Sequence, residues 1–319
     1  MKIKRFRRFL TVALISTMIG AIAGCGNEGG KADATAESVT VKEEKTEAAA
    51  NSEEKVEEQT VRTVVFQTAD SYAPTAYLDQ DGNPAGFEVE VIQAVDELLP
   101  QYEFIIEAVP RESLENNLIS KKSDVVGFKM TKAVSETDNL RAGNEQYDTI
   151  VERIFILAEN VDKYHEIADF AGKTVYCFPD EEHQEDFPLN VYNREHPDNP
   201  INIVYLSDPA TCVNDLKTGK ADGFTRSQPS VISYSERFGV ELETAKVGST
   251  KIDGIYYMYR KDEDQQLIDD IDGALKTLKE NGTIDEIHGR LFYGTPWNFE
   301  GDISEWVEEH PEYLKESEY

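Results

Sequence analysis

The order of periodicities between residues 61 and 128 constrains this chain more than any single motif. Residues 61–67 read as a strand, and 68–84 as a loop with turn signals at Ala73-Pro74, Asp81-Gly82 and Asn83-Pro84. Val89, Ile92, Val95, Leu98 and Leu99 then share one helical face before Pro100 stops the helix. Residues 102–109 form the next strand, 111–121 carry Leu114, Leu118 and Ile119 on one face of a second helix, and 124–128 are strand-like again. Strands separated by helices pair in parallel, so this order predicts an α/β fold with a mostly parallel sheet flanked by helices.

Part of this unit recurs. The run Leu118-Ile-Ser-Lys-Lys-Ser-Asp124 is echoed by Leu216-Lys-Thr-Gly-Lys-Ala-Asp222, with the same spacing of Leu, Lys and Asp. Short helix-to-strand turns recur by chance, so the echo alone leaves a true repeat open. Strands at 173–178 and 201–206 and a helix at 210–217 complete a second lobe. The expected division is 61–148 with 248–294 in lobe 1 and 149–247 in lobe 2. Two strands cross between them, in 148–157 and 247–260, with 255–260 as a buried strand. Residues 265–280 form a strongly amphipathic helix (Leu267, Ile268, Ile271, Leu275, Leu278) stopped by Asn281-Gly282, and 283–292 form another. The acidic extension 295–319 carries spaced aromatics (Trp297, Phe299, Trp306, Tyr313), which read as short helices packed on the body.

At the N-terminus, basic Lys2, Lys4, Arg5, Arg7 and Arg8 precede an uncharged run from 9 to 23 and then Gly24-Cys25, the three-part grammar of a secretory signal over 1–24. The apolar run is short for a bilayer span. Ile22-Ala23-Gly24-Cys25 resembles a bacterial lipobox, in which the Cys25 sulfur is acylated and the lipid anchors the chain; the alternative is ordinary signal cleavage beside an incidental cysteine. Cleavage before Cys25 removes five positive charges and no acid, taking the net charge from −30 to −35. So acidic a protein is repelled by nucleic acid and by anionic lipid. Residues 25–60 contain no aromatic and are rich in Glu, Ala, Lys, Thr and Ser, the composition of a disordered acidic tether with a span of about 30 Å.

Several runs add up in order: Tyr72-Ala-Pro74 with Tyr77, Gly86-Phe87-Glu88-Val89-Glu90, Leu114 and Leu118 ahead of Asp124, Gly172-Lys173-Thr174-Val175, and Gly282-Thr283-Ile284 through Phe292-Tyr293-Gly294. Together they resemble the extracellular solute-binding proteins of family 3, the polar amino-acid-binding components of ABC importers. The resemblance implies a periplasmic-binding-protein-like fold of type II, with two α/β lobes joined by two crossover strands and ligand held in the cleft at the strand ends. It also implies a permease and an ATPase as partners and no covalent chemistry on the solute. A monomer with no cofactor and no metal, held by lipid at the extracellular face of the cell membrane, is expected.

An amino acid is gripped through a carboxylate, an ammonium and a side chain, so a binder needs a cationic fork, an acid and a wall. Tyr72, Tyr77 and Phe128 keep the family's aromatics, and Lys129, Met130 and Thr131 occupy its clamp loop. The Arg that the family places shortly after the loop Thr is replaced by Val134 or Glu136, depending on the alignment. The Gly-Thr pair of the second lobe is replaced by Asp180-Glu181, and the ammonium-binding Asp by Ser227, beside Arg226.

Three readings remain open. The ligand is a normal amino acid with Arg226 or Lys129 taking its carboxylate; or it is a cationic amine met by Glu136, Asp180, Glu181 and the aromatics; or the acids are solvated and the cleft binds little. A non-transport sensory role is a further variant. An enzyme on the same fold, of the periplasmic dehydratase kind with Glu136 or Glu181 as general acid, is the other-class alternative. Glu181-Glu182-His183 with Glu185-Asp186 offers cation ligands, although so polar a loop reads as solvated surface. Cys177 and Cys212 are either a disulfide or two buried thiols.

Overall fold

In the computed structural model, which describes residues 61–315, the strand Arg62–Ala69 pairs in parallel with Tyr102–Val109 along its whole length. The order of the first sheet is Tyr102–Val109, Arg62–Ala69, Val125–Val126, Met258–Arg260, Leu140–Ala142. Three parallel strands are thus extended by Met258–Arg260, which runs antiparallel to both its neighbours. Residues 68–84 are not a plain loop: Ser71–Tyr72, Ala76–Leu78 and Pro84–Ala85 form a small antiparallel meander.

Side-chain alternation divides the first sheet into two packed faces. Val64, Phe66 and Val125 join the helices Phe87–Leu98, Gln265–Glu280 and Thr283–Leu291 in one core, while Ala69, Val126 and Met258 pack with Leu114 and Leu118 in another. The helix Phe87–Leu98 starts at Gly86, whose φ is 104° and where an added Cβ would lie 2.6 Å from the Pro74 carbonyl oxygen. Only glycine fits there. The helix Gln265–Glu280 is capped by Asp264 and buries Leu267, Ile268, Ile271, Leu275 and Leu278, which contributes on the order of 10 kcal/mol before ordering costs.

The second sheet runs Asn202–Tyr205, Thr174–Cys177, Gly223–Ser227, Asp148–Leu157, Leu242–Thr244, with Lys251–Ile255 also on Asp148–Leu157. Its first three strands are parallel and the rest antiparallel. Asp148–Leu157 and Lys251–Ile255 are the crossover strands, paired from Glu152↔Lys251 to Asp148↔Ile255. The expected strand over 255–260 is broken at Tyr256 and Tyr257, where the chain leaves one sheet for the other: Tyr256 N–H donates to Met130 O, and Gly143 N–H to Tyr257 O.

The echoed heptads are a structural repeat. In the first, Asp124 N–H donates to Val65 O and its carboxylate accepts from Val65 N–H; in the second, Asp222 does the same to Thr174. The third residue after each Leu, Lys121 and Gly219, sits in the left-handed region at φ 62° and 70°. Each Asp anchors the start of a strand to its parallel neighbour, which is why the spacing recurs.

The extension carries a helix, Ile303–Glu309, laid on the second lobe. Ile303 and Val307 are buried, with Phe299, Trp306 and Tyr313 packed around them.

Candidate functional site

The strand ends of both lobes meet at the start of the outgoing crossover strand. Val125–Val126 ends in Gly127-Phe128-Lys129, and Lys129 adopts a left-handed conformation (φ 47°) that is costly for a residue with a Cβ. Its N–H points to Glu88 Oε1 at 3.4 Å, at the start of the helix Phe87–Leu98. The Lys129 ammonium has no hydrogen bond or ion pair among the described residues, yet it lies in the field of Asp148, Glu152 and Glu88. Burial pulls it below the usual lysine range, and those carboxylates, Asp148 foremost, oppose the shift.

The acids are themselves displaced. Glu88 has no exposed surface and accepts from the Tyr147 hydroxyl at 2.7 Å; burial pushes it up to about 8 against that hydrogen bond. Burial likewise raises Asp148 to about 7, opposed by the Thr149 N–H and Lys129. Glu181, fully buried, accepts from Phe178 N–H at 2.7 Å and the Thr225 hydroxyl at 2.9 Å, and is raised by burial and by adjacent Glu152. Glu152 Oε2 and Glu181 Oε1 are both buried without a partner.

Of the residues expected from sequence, several come together and others do not. Tyr72 and Phe128 face each other with ring centroids 4.8 Å apart, while Tyr77 lies in the meander without a ring contact to either. Met130 is core, packed with Val126, Leu140 and Met258, and Thr131 is buried with its hydroxyl unpartnered. Glu136 is exposed and accepts from Ala142 N–H, which turns it to the surface of its own loop. Glu181 is buried rather than solvated. The Asp180 side chain and Cys25 lie outside the described parts of the structure.

Arg226 is not free to receive a carboxylate. Its guanidinium donates to the carbonyls of Thr225 (2.6 Å) and Ser207 (2.9 Å) and to Cys212 Sγ (3.6 Å), and stacks 4.1 Å from Phe178. Ser227, the next residue, is paired in register with Glu152. The disulfide alternative is corrected as well: Cys177 and Cys212 are free thiols, because Cys177 packs with Val175 and Ile154 on one face of the second sheet and Cys212 with Tyr176 and Phe155 on the other. A sheet stands between them.

Glu88, Asp148, Glu152 and Arg111 also stand at this candidate site, although they were not expected there from the sequence. Arg111 follows the strand Tyr102–Val109, lies 5.8 Å over Phe128 and acts electrostatically on Lys129. Position after a strand end was the signal available for Arg111; nothing local marks Asp148 or Glu152. Among the described residues, no group of three His, Cys, Asp or Glu is arranged to hold a metal.

Two α/β lobes joined by paired crossover strands, with charged groups gathered where the strand ends meet, define a cleft-forming binding protein. The chain belongs to the bacterial extracellular solute-binding proteins, family 3, whose model matches residues 64–293. The function that comes with it is extracellular capture of a small solute for an ABC importer. Similar proteins include the L-cystine-binding proteins TcyJ and TcyK of Bacillus subtilis (strain 168), 28% and 27% identical, over 71% and 70% of this chain and 82% and 81% of theirs. Among solved structures, the probable amino-acid ABC transporter extracellular-binding protein ytmK from Bacillus subtilis matches with a TM-score of 0.63 at 25% identity, covering 72% of this chain and 97% of that one. The L-cystine solute receptor of Neisseria gonorrhoeae, in its unliganded open conformation, shares the fold at a TM-score of 0.57 and 20% identity, over 76% and 96%.

Proposed function

We propose that the protein captures a polar amino acid of the cystine type, with Lys129 as the carboxylate anchor in place of the missing family Arg. The observation that carries this is the Lys129 ammonium, which has three carboxylates nearby and no hydrogen bond or ion pair among the described residues. Arg111, over Phe128, offers a second cation at the same wall, and Asp148 and Glu152 offer the acids an ammonium needs. A ligand with both charges fits such a mixed wall better than one with either alone. The relatives named for L-cystine support this choice. Binding without catalysis is the proposed mode, and the acylated Cys25 with tether 25–60 is the proposed anchor. Among the described residues no helix is long and apolar enough to cross a membrane.

A second reading has an observation of its own: the Asp148 and Glu152 carboxylates both act on the one Lys129 ammonium, a pair of acids that would also suit a cationic amine. Thermal shift and calorimetry of the protein with L-cystine, other amino acids and polyamines separate the two. L-cystine or a related zwitterion should raise the melting temperature, and Lys129→Met should abolish that rise while leaving the ligand-free melting temperature within a few degrees. Stabilisation by polyamines alone, retained in Lys129→Met, would overturn the amino-acid reading in favour of the amine.

A further inference from the structure

The family match ends at Tyr293, yet the chain continues in close contact with both lobes. Trp297 packs against the core of the first lobe, under the Lys279 ammonium at 4.7 Å, and its N–H donates to Asp285. Six to ten residues further on, Ile303, Trp306 and Val307 are packed in the core of the second lobe, and the Trp306 indole N–H donates to Tyr293 O. Residues 295–314 therefore form a third connection between the lobes besides the two crossover strands.

This connection holds the outgoing crossover strand directly at Arg153 and approaches it through His288 near Asp148, one on either side of Glu152. On one side, Thr295 O accepts from His288 Nδ1 at 2.7 Å, and His288 Nε2 lies 3.6 Å from Asp148 Oδ1. On the other, Asp302 Oδ2 lies 3.2 Å from Arg153 Nη1 and accepts from the Thr244 hydroxyl at 2.6 Å. Arg153 Nε in turn donates to Gln228 Oε1 at 3.0 Å, and Gln228 N–H to Val151 O. The Arg153 and Asp302 side chains are only 10% and 13% exposed. Because strand side chains alternate, Glu152 faces the site while Arg153 faces the extension.

We propose that the C-terminal segment 295–314 is a positioning strap, whose Asp302 acts through Arg153 and Gln228 to set the crossover strand that lines the site and to limit how far the lobes open. The strap works as a tie anchored in both cores, so cutting either end should free the same motion. Asp302→Asn removes the charge at the second-lobe end, and Trp297→Leu loosens the first-lobe end; neither residue lies among the candidate ligand groups.

The test uses the mature chain and two readouts. Small-angle scattering of the ligand-free protein should give a larger radius of gyration for both variants than for the parent, with Asp302→Glu returning toward the parent value. With L-cystine as the probe, both variants should release it at least about fivefold faster, with association little changed. The affinity readout rests on the amino-acid reading; if L-cystine does not bind the parent, that reading fails, and the ligand-free scattering still tests the strap. Lower melting temperatures with an unchanged radius of gyration in both variants would overturn the proposal and leave the extension a packing element only. Should Asp302→Asn not fold, Trp297→Leu decides on its own.

Discussion

The stability difference between the natural protein and Glu88→Gln should swing steeply with pH. Glu88 has no exposed surface, its Oε2 accepts from the Tyr147 hydroxyl, and burial holds its pKa near 8 in the folded protein against 4.5 for an ordinary glutamate. A folded pKa above the unfolded one means that the group's contribution is fully present below pH 4.5 and is lost as the pH rises through about 8. Above pH 4.5, folding must return to Glu88 a proton that the unfolded chain has released. The cost grows by about 1.4 kcal/mol per pH unit and approaches about 5 kcal/mol beyond pH 8. Glutamine carries no such cost. Its carbonyl can accept from Tyr147, but its amide then faces the Lys129 N–H, donor against donor, at a roughly constant penalty of about 1–3 kcal/mol. Glu88→Gln should therefore be less stable than the natural protein at pH 5 and gain on it by about 4 kcal/mol between pH 5 and pH 8. Urea unfolding followed by the fluorescence of Trp297 and Trp306 at each pH measures the difference. A gap that stays flat across that range would mean that Glu88 is ionised in the folded state, and the account of the acids around Lys129 would fall with it.

Two further outcomes follow from the same geometry. Cys177 and Cys212, on opposite faces of the second sheet and both with thiols held above the ordinary range by burial, should be inert to a thiol reagent in the folded protein and react together on unfolding; a disulfide in mass spectrometry of the secreted chain would contradict this. Arg226→Met, which strips the Thr225 and Ser207 carbonyls of their donor, should cost roughly 2–4 kcal/mol in urea unfolding while leaving ligand affinity within about threefold, the reverse of the pattern expected for Lys129→Met.

Legibility differed between elements. The strand 102–109 and the helix 265–280 have their expected bounds, because each combines one period with a hard stop, Pro100 and Pro110 for the strand and Asn281-Gly282 for the helix. The helix expected at 111–121 shrank to a single 3-10 turn and Leu114–Ile119, since Lys121 must turn left-handed to deliver Asp124 to Val65. The meander over 71–85 went unseen because its strands are two or three residues long, too short for a period to register.

What the sequence determined by itself was the alternation of strand and helix and the matching Leu-to-Asp spacing, both properties of neighbours along the chain and hence of local sterics and one-face burial. The charged site was decided only by tertiary structure. Lys129 meets Glu88, Asp148 and Glu152 from 41, 19 and 23 positions away, and the pull on each proton comes from burial, which no local window records. Parity settled the rest: Arg226 and Thr225 are adjacent, yet one stacks on Phe178 and the other hydrogen-bonds to Glu181. Which face of a strand meets the cleft depends on what packs behind it, and that is fixed when the lobes assemble.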